Sequence, residues 1–488
     1  MKVNEIRQDD FKFVDFSKDE LRTNLARISR ICENFKIPVL ILIDGWESSG
    51  RGYIVSQLSK DLNPKYFDVD VAGDNPDYGD YSFIRDAWVN SPAKSHIKIQ
   101  TKSYYYDLFE NLDAGKDEIK AKVEEIENFE KMLTDDQAIV IKIFLDIDEK
   151  TQKERLEDLK DSYKQSFYVK DLDKKQVKNH KDFKKNFEKI IGQTSFDFAR
   201  WNVIEANDTK DTSKEVLGIL AEILTLGIER VGNQQKDETA FERSYDKKSH
   251  TIENLDLEKA MDDEEYQEKK DKLQEEVAET MYKLYDKGIA SALVFEGVDA
   301  AGKDGAIKRL IKDVDPRLYT VHAISAPTEL ELSHHYLWRF YKRLAKKGYV
   351  SIFSRSWYGR VMVERIEGFA SIGEWDRAFE EIKKFEKFLV KNKTMVLKFF
   401  VVIDKDVQLE RFKDREIEPD KRYKITDEDW RNREKWDPYI EAMNEMLDRT
   451  TTDYAPWIVV EGNDKKYARI KVMEEYLAYA KKFLKEID

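Results

Sequence analysis

Short, unbroken apolar runs alternate along the chain with longer charged stretches in which apolar residues recur every three or four positions. The runs are VLILID (Val39–Asp44), IVIKIFLDI (Ile139–Ile147), WNVIEA (Trp201–Ala206), ALVFEG (Ala292–Gly297), MVLKFFVVI (Met395–Ile403) and WIVVEG (Trp457–Gly462). They do not alternate apolar with polar, which is the pattern of parallel strands buried on both faces. Leu21–Phe35 and Tyr266–Tyr285 have helical periodicity and lead into the first strand of each half. Strands alternating with charged helical segments predict three-layer α/β architecture with parallel sheets.

The pattern occurs twice. FEKMLTDDQAIVIKIFLDIDEKTQKERLED, from Phe129, aligns without gaps with FEKFLVKNKTMVLKFFVVIDKDVQLERFKD, from Phe385, at an offset of 256 residues. Trp201, Glu205, Asn207 and Asp208 match Trp457, Glu461, Asn463 and Asp464 at the same offset, while Gly45 and Pro64 match Gly297 and Pro316 at 252. A common offset over so many identities is an internal duplication. The polar stretch Gly232–Asp256 has little apolar periodicity and reads as a linker, giving expected domains at 1–231 and 257–488.

In the second half, ALVFEG runs into Gly297-Val-Asp-Ala-Ala-Gly302-Lys303, followed by the helical Ala306-Ile-Lys-Arg-Leu. Strand, G-x-x-x-x-G-K loop and helix form a phosphate-binding loop: glycines let backbone N–H groups turn inward, the helix N-terminus supplies positive potential, and the lysine reaches terminal phosphates. The fold class predicted is therefore two tandem P-loop kinase-like α/β/α domains. Asp304 stands where a Ser or Thr ordinarily holds Mg²⁺, and Asp299 lies inside the cradle, where a carboxylate is tolerable beside phosphate if a metal lies between. The first half reads Gly45-Trp-Glu-Ser-Ser-Gly50-Arg51, with arginine for the lysine and glutamate for the loop aspartate. It also has Thr101–Asp107 against SRSWYGR, and Lys174–His180 against WRNREKW. These changes predict a domain that has kept its fold and lost its chemistry.

Composition narrows the field further. Hydrophobic residues make up 41% and charged residues 38%, as in a soluble globular protein. No run of about 18 apolar residues exists, so no membrane span is expected, and the charged N-terminus does not read as a secretory signal. A net charge of −13 argues against nucleic acid as a partner. The single Cys32 allows no internal disulfide, and a cytoplasmic setting is expected.

FEGVDAAGKDGAIKRL (Phe295–Leu310), the block Pro327–Ala370 containing SRSWYGR, and Arg422–Val472 containing WRNREKW resemble the polyphosphate kinase 2 family over almost all of the second half. The tandem arrangement is similar to its two-domain members, which implies transfer of a terminal phosphoryl group from inorganic polyphosphate to AMP, with Mg²⁺ (or Mn²⁺) as cofactor. The resemblance implies a catalytic set of Asp299, Lys303 and Arg355. It implies phosphate or polyphosphate contacts from Gly297, Ala300, Ala301, Gly302, Asp304, Lys308, Arg309, Arg360, Lys421, Arg422, Arg431 and Arg433, the last four on a lid over about 411–450. Nucleotide contacts fall to Arg339, Trp357, Tyr358, Glu364 and Arg365, and metal contacts to Asp299 and Ser354. Ser354 stands where the family usually has an acidic or amide residue. From Arg411 to Trp436 nine Lys or Arg face eight Asp or Glu, so the lid segment also reads as a solvated, ion-paired face. The residues themselves leave open ADP or a guanine nucleotide as acceptor, ATP as donor, a non-enzymatic polyphosphate-binding role, and a homo-oligomer.

Overall fold

A computed structural model of the chain describes residues 15–71, 83–161, 171–237, 245, 249–419 and 425–487. Every apolar run is a strand. In the first half, β1 (Val39–Gly45), β2 (Phe67–Val71), β3 (Ile97–Thr101), β4 (Ile139–Asp146) and β5 (Trp201–Glu205) form a parallel sheet in the order β2-β3-β1-β4-β5. In the second half, β6 (Ala290–Gly297), β7 (Tyr319–Ala323), β8 (Val350–Ser354), β9 (Thr394–Val402) and β10 (Trp457–Glu461) repeat that order as β7-β8-β6-β9-β10, again all parallel. The central strands β1 and β9 are buried at every residue, which is why their sequences are continuously apolar. The edge strand β7 is partly or wholly exposed along its length and carries no such run.

Helices cover both sheets. Lys18–Asn34 packs with Thr209–Asp237 in the first half, and Asp263–Asp286 with Lys465–Ile487 in the second. Their starts are marked in the sequence: Ser17 and Glu20 form a capping box, as do Ser371 and Glu374 ahead of Ile372–Lys391. The described residues fall into two compact units, one from each half, and the first unit also takes in Glu329–His335. The stretch expected to be a linker is partly structured. Helix Thr209–Asp237 continues into it, and at its far end Ile252 is buried and donates its N–H to Asn444 Oδ1 at 2.9 Å. The last turns of that helix are polar, so periodicity did not extend it.

Among the described residues, each core holds an ion pair with neither side chain accessible to solvent. Lys398, in the middle of β9, lies 2.7 Å from Glu386 on helix Ile372–Lys391, and neither side chain is accessible to solvent. Lys398 also donates to the Tyr358 hydroxyl (2.8 Å) and to the Thr450 carbonyl (2.9 Å); Glu386 Oε1 accepts from Tyr358 Oη (2.7 Å) and Trp357 Nε1 (3.1 Å). The first half repeats this with Lys142, Glu130 at 2.8 Å, Tyr105 and the Thr194 carbonyl. Every donor and acceptor in the cluster is used, the condition under which buried charge is tolerated. Lys398→Met strands the Glu386 carboxylate in the core and is expected to destabilise the second unit by about 3–5 kcal/mol. Replacing both partners, Lys398→Met with Glu386→Leu, is expected to recover most of that loss; urea unfolding of the two variants beside the parent measures it.

Candidate active site

β6 ends at Gly297 with φ +136°, where a Cβ would sit 2.0 Å from the Val401 carbonyl oxygen of β9. Only glycine fits so close an approach, and it turns the chain out of the sheet into the loop. The loop closes at Gly302 (φ +109°), which opens helix Lys303–Leu310. It is braced from behind by Arg411. Its guanidinium, largely buried, donates to the carbonyls of Ala300 and Ala301 (3.0 Å each) and of Gly462 and Asn463 (2.8 Å each). Gln408, one turn earlier, donates to the Asp299 carbonyl at 3.1 Å.

Charge is concentrated at the mouth of this loop. Arg355, directly after β8 and in the left-handed region at φ +63°, brings its guanidinium to 3.1 Å from Asp299 Oδ1 and 3.7 Å from Glu428. Such a conformation costs a non-glycine residue on the order of 1 kcal/mol and aims the side chain across the loop. Asn432 Nδ2 donates to the other carboxylate oxygen of Asp299 at 2.9 Å. Burial pushes the Asp299 carboxyl up, but the Lys303 and Arg355 cations outweigh it and hold the group below the ordinary carboxylate value. Lys303 folds back onto its own loop, donating to the carbonyls of Gly297 (2.9 Å) and Val298 (3.2 Å). Burial lowers its pKa, opposed by the Asp299 charge. Beneath the loop, Glu296 is buried and accepts from the Ser356 hydroxyl at 2.8 Å; burial raises its carboxyl.

A cavity of about 380 Å³ opens onto the loop. Gly297, Asp299 and Arg355 form its polar end, with Glu428, Arg431 and Asn432 from the helical segment that follows β9; Ile324, Ala326, Pro327, Met362, Val363 and Met443 make much of the remaining wall. Arg339 and Glu364 line it as well, and Arg339 Nη1 donates to the Ser325 carbonyl at 3.0 Å.

Other expected site residues lie elsewhere. Trp357 and Tyr358 are core residues hydrogen-bonded to Glu386 and not part of the cavity wall, because the turn after β8 points them inward. Arg365 pairs with Glu445 at 2.7 Å and stacks 4.2 Å from the Trp375 ring; Arg360 pairs with Glu364 at 3.1 Å and lies over Tyr336. Arg433 donates to the Lys405 carbonyl and, at 3.2 Å, to Gln408 Oε1. Lys308 is exposed and Arg309 half-buried on helix Lys303–Leu310. Lys421 and Arg422 lie outside the described residues. Asn432, Gln408 and Arg411 were not singled out from the sequence as site residues. Gln408 and Arg411 carried a signal, being identical to Gln152 and Arg155 at the 256-residue offset.

Among the described residues there is no group of three or more His, Cys, Asp or Glu able to hold a metal. Mg²⁺ does not need one, since it commonly takes one or two carboxylates and fills its octahedron with water and substrate phosphate. The ionised Asp299 fits that requirement, and Asp304, in the first turn of the helix that follows the loop, is a second carboxylate, whose Oδ1 accepts from the Ser354 hydroxyl at 3.1 Å.

The first-half loop keeps the backbone and changes the side chains. Gly45 has φ +146°, and a Cβ there would lie 2.4 Å from the Leu145 carbonyl. Arg155 donates to the carbonyls of Ser48, Ala206 and Asn207, as Arg411 does in the second half. Here Glu47 is bridged by Arg51 (2.9 Å) and Lys102 (2.8 Å). Its backbone N–H donates to Gln176 Oε1 at 2.9 Å.

The Polyphosphate kinase 2 (PPK2) family model matches residues 12–229 and again 260–487. The chain is 38% identical over 449 residues to a polyphosphate:AMP phosphotransferase of Pseudomonas syringae pv. tomato, covering 90% of each chain. It is 37% identical over 475 residues to a polyphosphate:AMP phosphotransferase of Pseudomonas aeruginosa, covering 93% of each. The crystal structure of a Pseudomonas aeruginosa protein assigned as polyphosphate kinase 2 superposes with a TM-score of 0.82 at 34% identity, over 96% of each chain. With the same sheet order and the same glycine-turned loop in both halves, the chain belongs to the polyphosphate kinase 2 family and carries the family's domain twice.

Proposed function

We propose that this protein transfers the terminal phosphoryl group of inorganic polyphosphate to AMP, giving ADP, and that the second half alone does the chemistry. The observation that carries the reading is the cavity of the second half, which joins an apolar wall suited to a nucleoside to the phosphate loop at Gly297 and Asp299, with Arg355 facing it after β8 and Lys303 held on the loop's own carbonyls. Phosphoryl transfer needs in-line placement and neutralised charge, not a protein nucleophile. The phosphoryl group in transit rests against the loop N–H groups. Lys303 leaves its own carbonyls to reach the phosphate, and Arg355 meets it from across the loop. The helical segment carrying Arg431 and Asn432 covers the reacting groups and keeps water from the donor. Asp299, with Asp304 and the Ser354 hydroxyl nearby, would hold Mg²⁺ or Mn²⁺, which would supply positive charge against the phosphates. A cytoplasmic setting, where AMP and polyphosphate meet, belongs to the same proposal.

The experiment compares polyphosphate with ATP as donor to AMP, following ADP in the presence of Mg²⁺. Lys303→Ala is expected to lower kcat on the order of a hundredfold or more, the scale of losing one charge-stabilising donor. Arg51→Ala is expected to leave turnover within about twofold, since it touches no substrate in this reading. Turnover with ATP alone would sink the donor assignment; equal losses from both substitutions would sink the division of labour between the halves.

The first half also has a pH signature. Burial, reinforced by the neighbouring Glu47 carboxylate, raises the Glu110 carboxyl from the ordinary 4.5 to about 7, against the opposing pull of Arg51, Lys102 and a hydrogen bond from Gln176 Nε2 (3.0 Å). Between those values the folded chain keeps a proton that the unfolded chain has lost. This contribution to stability is full below pH 4.5 and is lost as pH rises through about 7. Glu110→Gln is expected to flatten the fall of Tm across that window, measured by calorimetric scans at stepped pH.

A further inference from the structure

Both halves place an amide side chain over the phosphate loop from the same position of the same helix. Asn432 lies on helix Asp427–Glu434 and Gln176 on helix Asp171–Lys178, at the 256-residue offset that relates the two copies. One methylene separates them, and they grip different atoms. The shorter Asn432 reaches the Asp299 side chain (2.9 Å to Oδ2), and its own carbonyl accepts from Tyr439 Oη at 3.2 Å. No described group accepts a hydrogen bond from the Asp299 backbone N–H. The longer Gln176 passes the side chain and reaches the backbone: its Oε1 accepts from the Glu47 N–H (2.9 Å) and from Gln152 Nε2 (3.1 Å). Its Nε2 is spent on Glu110, the residue is fully buried, and Ser48 of the same loop donates to Asp173 Oδ1 at 3.0 Å. Loops of this kind hold phosphate through their inward backbone N–H groups. In the first half one such N–H, at the third loop position, is already taken by a neutral carbonyl oxygen of the chain itself.

We propose that this single helix position decides whether a phosphate loop of this chain is open. Asn432 leaves the loop N–H to the substrate and steadies the Asp299 carboxylate opposite Arg355; Gln176 caps the loop as an internal stand-in for a phosphate oxygen. Asn432 is thus a positioning residue for Asp299, and its length keeps polyphosphate able to enter. The inference rests on the second-half loop being the phosphate site of the proposed reaction.

The test is Asn432→Gln and Asn432→Ala in the full chain, reading KM for polyphosphate, kcat, Tm, and calorimetric binding of tripolyphosphate without AMP. The glutamine variant is expected to raise KM and the tripolyphosphate Kd about tenfold or more, with Tm unchanged or higher, because it makes the contact already seen in the first half. The alanine variant leaves the N–H free, as in the parent, but releases Asp299, so kcat is expected to fall about tenfold while KM stays within about threefold. Parent-like KM and Kd in Asn432→Gln overturn the proposal. So does an equal rise of KM in the alanine variant, which would mark loss of helix docking and not capping. A parent protein that neither binds tripolyphosphate nor turns over polyphosphate fails the functional reading instead.

Discussion

A lysine sealed in the middle of a fully buried strand survives only if every one of its protons finds a partner, and that demand organises each half of this molecule. Lys398 ties β9 to helix Ile372–Lys391 through Glu386, to the turn after β8 through Tyr358, and to the end of helix Trp436–Thr450 through the Thr450 carbonyl. Those elements carry the site: the turn delivers Arg355, and Trp436–Thr450 supports Tyr439, which orients Asn432. A single charge in the core thereby fixes the spacing of groups that meet at the loop. Its repetition through Lys142, Glu130, Tyr105 and Thr194 explains why the first half keeps the same frame after its loop has changed.

Above that frame the loop is held by sterics and by carbonyl capture. The approach of Gly297 to Val401 sets where the loop leaves the sheet, and Arg411 gathers carbonyls that would otherwise face into the interior unpaired. What is left at the mouth is a balanced cluster. Lys303 and Arg355 keep Asp299 ionised, and Asp299 keeps both cations close. Lys303 spends its protons on the carbonyls of its own loop, and the Asp299 and Glu428 carboxylates offset the charge of Arg355 at the mouth.

The fold was legible where a strand is one continuous apolar run. β1, β4, β6 and β9 announce themselves as apolar runs because no face of them meets water. The edge strands β2 and β7 went unread because they meet solvent and carry no apolar run. The loop was legible because its geometry demands glycine at fixed places. Trp357 and Tyr358 were misplaced for the opposite reason: their neighbour Arg355 faces the cavity, and only the path of the turn shows that they face the core. Asn432 was invisible in kind, since the difference between an asparagine and a glutamine acquires meaning only once the helix is known to lie across the loop. The start of the expected linker was misread because a polar helix end has no apolar stripe to count.

The amide that fills the first loop is tethered, so its effective concentration at that N–H is set by the chain and not by solution. In the language of linkage, the proposed capping makes the first half a domain permanently saturated with its own ligand, whose stability would not follow the supply of phosphate. On the proposed reading the second half, whose Asp299 N–H is taken by no described group, gains stability by mass action as polyphosphate rises above its dissociation constant. If the capping holds, one polypeptide joins a half whose folding is indifferent to the phosphate reserve to a half whose folding is titrated by it.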